Sequence, residues 1–200
     1  MYILGLNGSP NKDGQSFYIL NLMLEYIKEQ GADVELIDVP QVLNSAKHPF
    51  CNVCSNPCNG VCYKGTQLEQ VFDKMAAADG IIAASPVYFG SVSGQLKAFW
   101  DKTRRLRTDK ALVNTVGAVV TNGGAKYGGQ ETTIKAIHDM MLVQGMILIG
   151  DGCREADAGH HGVCGQRPVK EDEFAIKRAK IMAKRILEVC QATQGIRQNR

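Results

Sequence analysis

The stretch GIIAASPVYFGSVSGQLKAFWDKT, residues 80–103, decides the fold. Apolar and small residues run unbroken from Gly80 into Pro86, which cannot continue a strand ladder. After VYFG a pattern of helical period begins. A short strand that is apolar on both sides is one buried on both sides, as in parallel sheets covered by helices. The same pairing recurs outward along the chain. YILGLNG (2–8) precedes the helical SFYILNLMLEYIKEQG (16–31), which stops at Gly31, and DVELIDVP (33–40) alternates like a strand up to Pro40. TQLEQVFDKMAAAD (66–79) reads as a helix, SGQLKAFWDKTRRL (93–106) as the next helix and TVGAVVTNGG (115–124) as the next strand. ETTIKAIHDMMLVQG (131–145) and MILIGDG (146–152) repeat the pair. In the last helix Ala175, Ala179, Met182, Ile186 and Val189 recur at steps of four and three, which gives one apolar face. Five such strands separated by helices predict an α/β protein with a five-stranded parallel sheet and helices on both faces. Ligands of such sheets bind beyond the carboxyl ends of the strands, where the Gly, Ser, Thr, Asn and Pro residues cluster here.

Two hundred residues suit one domain, read as 1–190 with a cysteine-rich insertion at about 45–65 and a polar tail at 191–200. The net charge of +3 is too weak to argue for nucleic acid or a membrane surface as partner. KTRRLRTDK (102–110) lacks interleaved aromatics and reads as a solvated helix end, with attraction of a phosphorylated nicotinamide as a secondary role. MYILGLNGSP has no basic n-region and reaches Asn7 too soon for a signal peptide, and no run approaches eighteen apolar residues. A cytoplasmic, reducing location is expected, where clustered cysteines more often bind metal or react than form disulfides.

GLNGSPNKDGQS (5–16) leads from a strand into a helix. Gly5 and Gly8 are wrongly spaced for a G-x-G-x-x-G dinucleotide loop, whose third glycine is missing, and Asp38 reads as an ordinary strand-end residue. A Walker A loop needs Gly-Lys-Ser/Thr, whereas Gly14 is followed by Gln15 and Ser16. What remains is a cradle for the phosphate of a mononucleotide. Ser9, Asn11, Gln15 and Ser16 supply polar side chains, and the helix start supplies backbone N–H groups. In the other two loops Tyr88 and Phe89 offer aromatic surface, while Gly90, Gly123, Gly124, Gly128 and Gly129 allow backbone to approach a flat ring.

Together GSPNKDGQS, ASPVYFGSVSGQLKAFWDKT and TNGGAKYGGQETT resemble the flavodoxin-like NAD(P)H-dependent FMN reductases, in particular their iron–sulfur flavoprotein branch, from Met1 to about Val189. The resemblance implies a flavodoxin-like three-layer sandwich that binds FMN non-covalently. Ser9, Asn11, Gln15 and Ser16 would hold the phosphate. Pro86, Val87, Tyr88, Phe89 and Gly90 would run along the ribityl chain and one edge of the isoalloxazine. Thr121, Asn122, Gly123 and Gly124 would face the ring's polar edge, with Gly128 nearby. The family commonly has Arg at the position of Asn11 and Asn at that of Gln15, so this site has one positive charge fewer. The resemblance also implies a homodimer or homotetramer with flavins near the interfaces.

Four of the seven cysteines, Cys51, Cys54, Cys58 and Cys62, lie within twelve residues in the spacing C-x2-C-x3-C-x3-C. Structural zinc sites usually set two C-x-x-C knuckles well apart, so zinc fits less well. A [4Fe–4S] cubane accepts four closely spaced thiolates. Free thiols or a redox disulfide stay open. The family branch carries C-x2-C-x2-C-x4-7-C here; in this chain the third cysteine sits one residue later. In GDGCREADAGHHGVCG (150–165), Cys153, His160, His161 and Cys164 are too loosely spaced to favour a second metal, and the loop suits a segment lying over a flavin. His138 reads as a helix-surface residue, His48 as a loop residue and Cys190 as packing.

The expected function is electron transfer, with FMN taking electrons from NAD(P)H or from a reduced protein such as ferredoxin. No catalytic side chain is assigned, because flavin supplies its own chemistry. A cluster-free NAD(P)H-dependent FMN or quinone reductase, a non-enzymatic electron carrier and a zinc-stabilised binding module are the alternatives.

Overall fold

The computed structural model describes residues 1–197. Its strands and helices follow in the order β1 (Tyr2–Asn7), α1 (Gln15–Glu29), β2 (Asp33–Asp38), α2 (Val39–Leu43), α3 (Gln67–Ala77), β3 (Gly80–Pro86), α4 (Gly94–Asp101), α5 (Arg104–Thr108), β4 (Val116–Gly123), α6 (Gln130–Leu142), β5 (Ile147–Leu148), β6 (Val163–Gln166), α7 (Glu173–Ala192) and α8 (Gln194–Arg197). The strands pair in parallel in the order β2-β1-β3-β4-β5, the flavodoxin-like doubly wound arrangement. Alternate residues of the central strands enter two cores, as the pleat requires. Leu4, Leu6, Ile81, Ala83 and Val119 face α2 to α6, while Ile3, Ile82, Ala84, Ala118 and Val120 face α1 and α7. The apolar stripe expected on the last helix is the one α7 buries through Ala175, Ala179, Met182 and Ile186, with Cys190 beside it in the same core.

Three differences from the sequence reading have local causes. First, the fifth strand is divided. β5 pairs only with Val116 and Gly117, the chain leaves the sheet after Ile149, whose N–H still bonds the Gly117 carbonyl (3.0 Å), and β6 resumes pairing with Val120 to Gly123. Second, the helix expected over 93–106 breaks after Asp101. Thr103 turns its hydroxyl back to the Trp100 carbonyl (2.7 Å) and accepts from Gln144 Nε2 (2.7 Å), and Lys102 turns into the interior. Third, part of the stretch read as a tail is folded. Arg197 is buried, and its guanidinium pairs with Asp79 (3.2 Å) and bonds the Cys190 carbonyl. Residues 198–200 of that stretch lie outside the described residues.

The excursion at 150–162 is pinned to α7. Asp151 and Arg178 form an ion pair with side chains only 1% and 3% exposed, and Arg178 also clamps Asp157 (2.9 and 3.0 Å). Burial pushes the Asp151 carboxyl up, but hydrogen bonds from Arg178 and His160 outweigh it and hold the group below its usual range. His138 is half-buried, not a simple surface residue: its Nε2 has no partner, and its ring lies 6.4 Å from that of His161. Burial, with the neighbouring His161, pushes its imidazole down. Burial pushes the Cys164 thiol up to about 11, which makes its thiolate scarcer still at neutral pH.

Removing one member of such a buried pair costs about 3–5 kcal/mol. We expect Asp151→Asn to lower the urea-unfolding free energy by that order at pH 7. A carboxyl held low contributes its stability above the unfolded value of about 3.9 and loses it as the pH falls through the folded value. The deficit of the variant should therefore shrink in acid, which a urea titration repeated across pH checks.

Candidate functional site

Three loops leave the carboxyl ends of β1, β3 and β4 and meet at one rim of the sheet. The first is built around Asn7, whose side-chain oxygen accepts the Ser9 N–H (3.2 Å). The Ser9 hydroxyl in turn accepts the Asn11 N–H (3.1 Å). Gly8 packs so closely that a Cβ would sit 2.8 Å from Leu96 and 2.9 Å from the Ala84 carbonyl. α1 begins after Gly14 with no side-chain cap and no acidic residue in its first turn. Its N–H groups therefore lack the usual capping partner, the arrangement that receives a phosphate.

The second loop is a tight turn. Tyr88 and Ser91 exchange backbone hydrogen bonds (2.9 and 3.1 Å), and Phe89 and Gly90 between them both take positive φ, +50° and +75°. That pair of conformations is the type I′ hairpin turn, and it leaves the Phe89 side chain fully exposed. The third loop carries Gly124 to Gly128 exposed on the rim, with Tyr127 also at positive φ. Gln130 braces it from below through the Ala125 carbonyl (2.7 Å).

Asn122 ties the three together. Its side-chain oxygen accepts from the Ser16 hydroxyl (2.5 Å), and its backbone carbonyl accepts from the Val87 N–H (2.9 Å). The second and third loops are joined again where Thr132 donates to the Gly90 carbonyl (2.8 Å). There Gly129, at φ +96°, lies so close that a Cβ would be 2.9 Å from the Gly90 Cα. Ser93 completes the bracing by donating to the Gly8 carbonyl (2.5 Å) while capping α4 through the Leu96 N–H (3.1 Å).

Within this frame the sequence-predicted residues divide. Asn11, Tyr88, Phe89, Gly124 and Gly128 are exposed at the rim, with Gln15, Val87 and Gly90 partly so. Ser9, Ser16, Pro86, Thr121, Asn122 and Gly123 are buried beneath it as its floor. Gln15 also reaches sideways, its side-chain oxygen accepting the Val169 N–H (2.6 Å). Ser93, Gly129 and Thr132 were not singled out by the sequence for the bracing they provide. A serine seven residues beyond Pro86 at a helix start was the available signal for the first. A cleft of about 810 Å³ opens beside the third loop, lined by Lys126, Gln130, Thr132, Gln166, Arg167 and Phe174 among others. Of the residues the sequence pointed to, Gly129 and Cys164 line it, whereas the residues expected to hold the phosphate and the ribityl chain do not.

The four cysteines occupy the connection between α2 and α3, beyond the carboxyl end of β2. Cys51, Cys58 and Cys62 are half-buried and Cys54 is exposed; none is in a disulfide. No three His, Cys, Asp or Glu side chains among the described residues are gathered so as to hold a metal ion. The loop is nevertheless fixed in place: Lys47 N–H bonds the Cys62 carbonyl (3.0 Å), and Arg104 bonds the Ser55 carbonyl (3.2 Å). Two buried polar groups beside it are incompletely partnered. The buried Tyr63 hydroxyl has no partner, and the buried Lys102 ammonium reaches only the Phe50 carbonyl and Cys62 Sγ. Burial, with the Cys58 sulfur next in weight, pushes the Tyr63 phenol up to about 12. Four thiols free of disulfides, one of them accepting from a buried ammonium, are a donor set of the type that a thiolate-bound anionic group requires.

The family model for NADPH-dependent FMN reductase matches residues 1–161. The chain belongs to that family. Within it, the chain falls in the branch of proteins named iron–sulfur flavoproteins. It is 38% identical over 192 residues to one from Methanocaldococcus jannaschii, covering 94% of this chain and 97% of that protein. It is 35% identical over 195 residues to another from Methanosarcina thermophila, covering 97% of each. Among solved structures, a flavodoxin-like, WrbA-like protein from Agrobacterium tumefaciens superposes with a TM-score of 0.68 at 16% identity, over 96% of this chain and 98% of that one. That likeness shows the fold. Family membership makes the protein an FMN-dependent oxidoreductase, and the uncapped α1 start and the glycine-lined rim fit the cofactor. No described helix is long and apolar enough to cross a membrane.

Removing the Asn122 side chain should disorganise the rim without unfolding the sheet. We expect Asn122→Ala to weaken FMN binding by about tenfold, roughly 1.4 kcal/mol, the order of one or two buried hydrogen bonds. Flavin-fluorescence titration of the apo-protein checks this, with an unchanged far-ultraviolet circular dichroism spectrum as the control.

Proposed function

We propose that the protein is a cytoplasmic electron-transfer flavoprotein that binds FMN on the rim formed by the β1, β3 and β4 loops. It pairs the flavin with a [4Fe–4S] cluster held by Cys51, Cys54, Cys58 and Cys62. The observation that carries the reading is the convergence on Asn122 of three loops at the carboxyl ends of adjacent parallel strands, beside an α1 start that lacks a side-chain cap. FMN supplies two-electron hydride chemistry and the cluster single-electron transfer, so together they connect a pyridine nucleotide or reduced ferredoxin to one-electron partners.

The chain's own part is binding and orientation. The N–H groups at the start of α1, with the Asn11 and Gln15 side chains, hold the phosphate, and Ser9 braces the loop beneath them. Ser16 acts from below by fixing Asn122. Pro86 and Val87 set the course of the chain under the ribityl group. Tyr88 and Phe89 offer aromatic surface to the ring, and Gly124 to Gly128 allow backbone N–H groups to reach its polar edge. No side chain at this rim is required to act as acid, base or nucleophile. The cleft past the third loop is the adjoining space large enough for an electron donor. The exposed Phe89 and Tyr127 support the reading that a second copy covers part of the rim in a homodimer or homotetramer.

One observation favours a second reading, a cluster-free NAD(P)H-dependent FMN or quinone reductase: among the described residues no three His, Cys, Asp or Glu side chains are placed to hold a metal ion.

Anaerobic stopped-flow reduction of the FMN-loaded protein by NADH, NADPH and reduced ferredoxin tests the function. Flavin bleaching by at least one donor, followed by reoxidation by a one-electron acceptor, is expected. Absence of bleaching with all three would contradict the reading. Restoring the missing charge gives a direct test of the phosphate site. Asn11→Arg should tighten FMN by roughly three- to tenfold, about 1 kcal/mol for a cation at an exposed phosphate site. The gain should shrink as salt is raised, which titrations at two ionic strengths check.

A further inference from the structure

Lys102 follows α4 at the break in the helix, and it is only 2% exposed. A buried ammonium is ordinarily matched by a carboxylate, because desolvation otherwise makes it costly. Among the described residues no Asp or Glu pairs with Lys102. Its Nζ donates instead to the Phe50 carbonyl (3.3 Å) and to Cys62 Sγ (3.6 Å). Both acceptors belong to the cysteine loop, so the fold has aimed a buried cation at one of the four thiols. The hydroxyl of Tyr63, next in the chain to Cys62, is likewise buried without a partner.

We propose that Lys102 is the positioning and charge-balancing residue for the cysteine-bound cluster, holding one ligand sulfur by an N–H···S hydrogen bond and raising the cluster's reduction potential. The inference rests on the cluster reading above. A cluster bound by four thiolates is a net anion, and reduction adds one further negative charge without changing its ligands. A cation hydrogen-bonded to a ligand sulfur in a pocket of low dielectric favours the more negative state. Without the anion the same ammonium is a buried charge with no counter-charge, so the iron-free protein should be the less stable for keeping it. A lysine that serves only to fill space acts through its aliphatic stem, which methionine reproduces.

Three variants separate these roles: Lys102→Met keeps the stem, Lys102→Gln keeps a neutral donor, and Lys102→Arg keeps the charge. The measurement is the midpoint potential of the iron- and sulfide-reconstituted protein, followed by electron paramagnetic resonance during a dithionite titration. The proposal expects Lys102→Met and Lys102→Gln to lower the one-electron reduction constant by about tenfold, a shift of about 59 mV to more negative potential, with Lys102→Arg close to wild type. Unchanged potentials in iron-loaded Lys102→Met and Lys102→Gln would overturn the proposal and leave the cluster reading intact. A wild-type protein that binds no iron under reconstitution would overturn both. Thermal melting of the iron-free proteins gives a readout independent of the cluster. Lys102→Met is expected to melt no lower than wild type, and a lower melting temperature there would assign Lys102 to the structural framework and overturn the proposal.

Discussion

Asn122 stands at the end of β4 with its side-chain oxygen on the Ser16 hydroxyl and its backbone carbonyl on the Val87 N–H. The first bond fixes the start of α1 against the sheet, and the second fixes the chain just past Pro86. The phosphate end of the rim and its aromatic end are thereby held in one register. This arrangement depends on the parallel sheet, because only parallel strands bring the turns after β1, β3 and β4 to the same edge. It also depends on glycine at the points of closest approach. Gly8 touches Leu96 and Ala84, and Gly129 touches Gly90, with no room for a Cβ at either place. A flat cofactor needs such a rim in place before it binds, since ordering three loops at the moment of binding would consume much of the binding energy.

The parts of this design that were legible in the sequence are the ones set by local pattern. Apolar runs such as Ile81 to Ala84 have to be buried on both faces, and the period of α7 follows directly from Ala175, Ala179, Met182 and Ile186. The turn at Tyr88 to Ser91 was legible as a loop, but the positive φ of Phe89 was not, since a phenylalanine gives no signal for a conformation that favours glycine. Ser16 and Asn122 were recognised as polar residues near a ligand. Their bond to each other spans 106 positions and was invisible to spacing. The division of the fifth strand was hidden for a similar reason. MILIGDG is continuous in pattern, and what ends β5 after Leu148 is the set of contacts that residues 149–162 make with α7. Arg178 gave no warning that it would be buried, because one arginine on a helix face normally lies in water.

The cysteine loop shows the opposite relation between sequence and structure. Its residue types announce a metal-binding chemistry, while the fold adds what the spacing could not: Lys102, forty residues on, turned inward beside Cys62, and Tyr63 with a hydroxyl left unpaired. KTRRLRTDK had been read as a solvated helix end. Arg105, Arg107 and Lys110 are exposed as that reading requires, but Lys102 and Arg104 of the same run face the loop. A basic run thus divides its charges between water and a site that lacks negative charge. The donors around the loop and the open helix start at the flavin rim are two answers to the same problem, the binding of an anion in a protein of small net charge.

The pairing of flavin and cluster in one chain is tested most directly by the absorption spectrum and metal content of protein purified without oxygen. The account predicts flavin bands over a broad brown shoulder, with about four irons per chain as a cubane requires. A colourless protein, or one whose cysteines carry zinc and whose rim takes up no FMN, would contradict it.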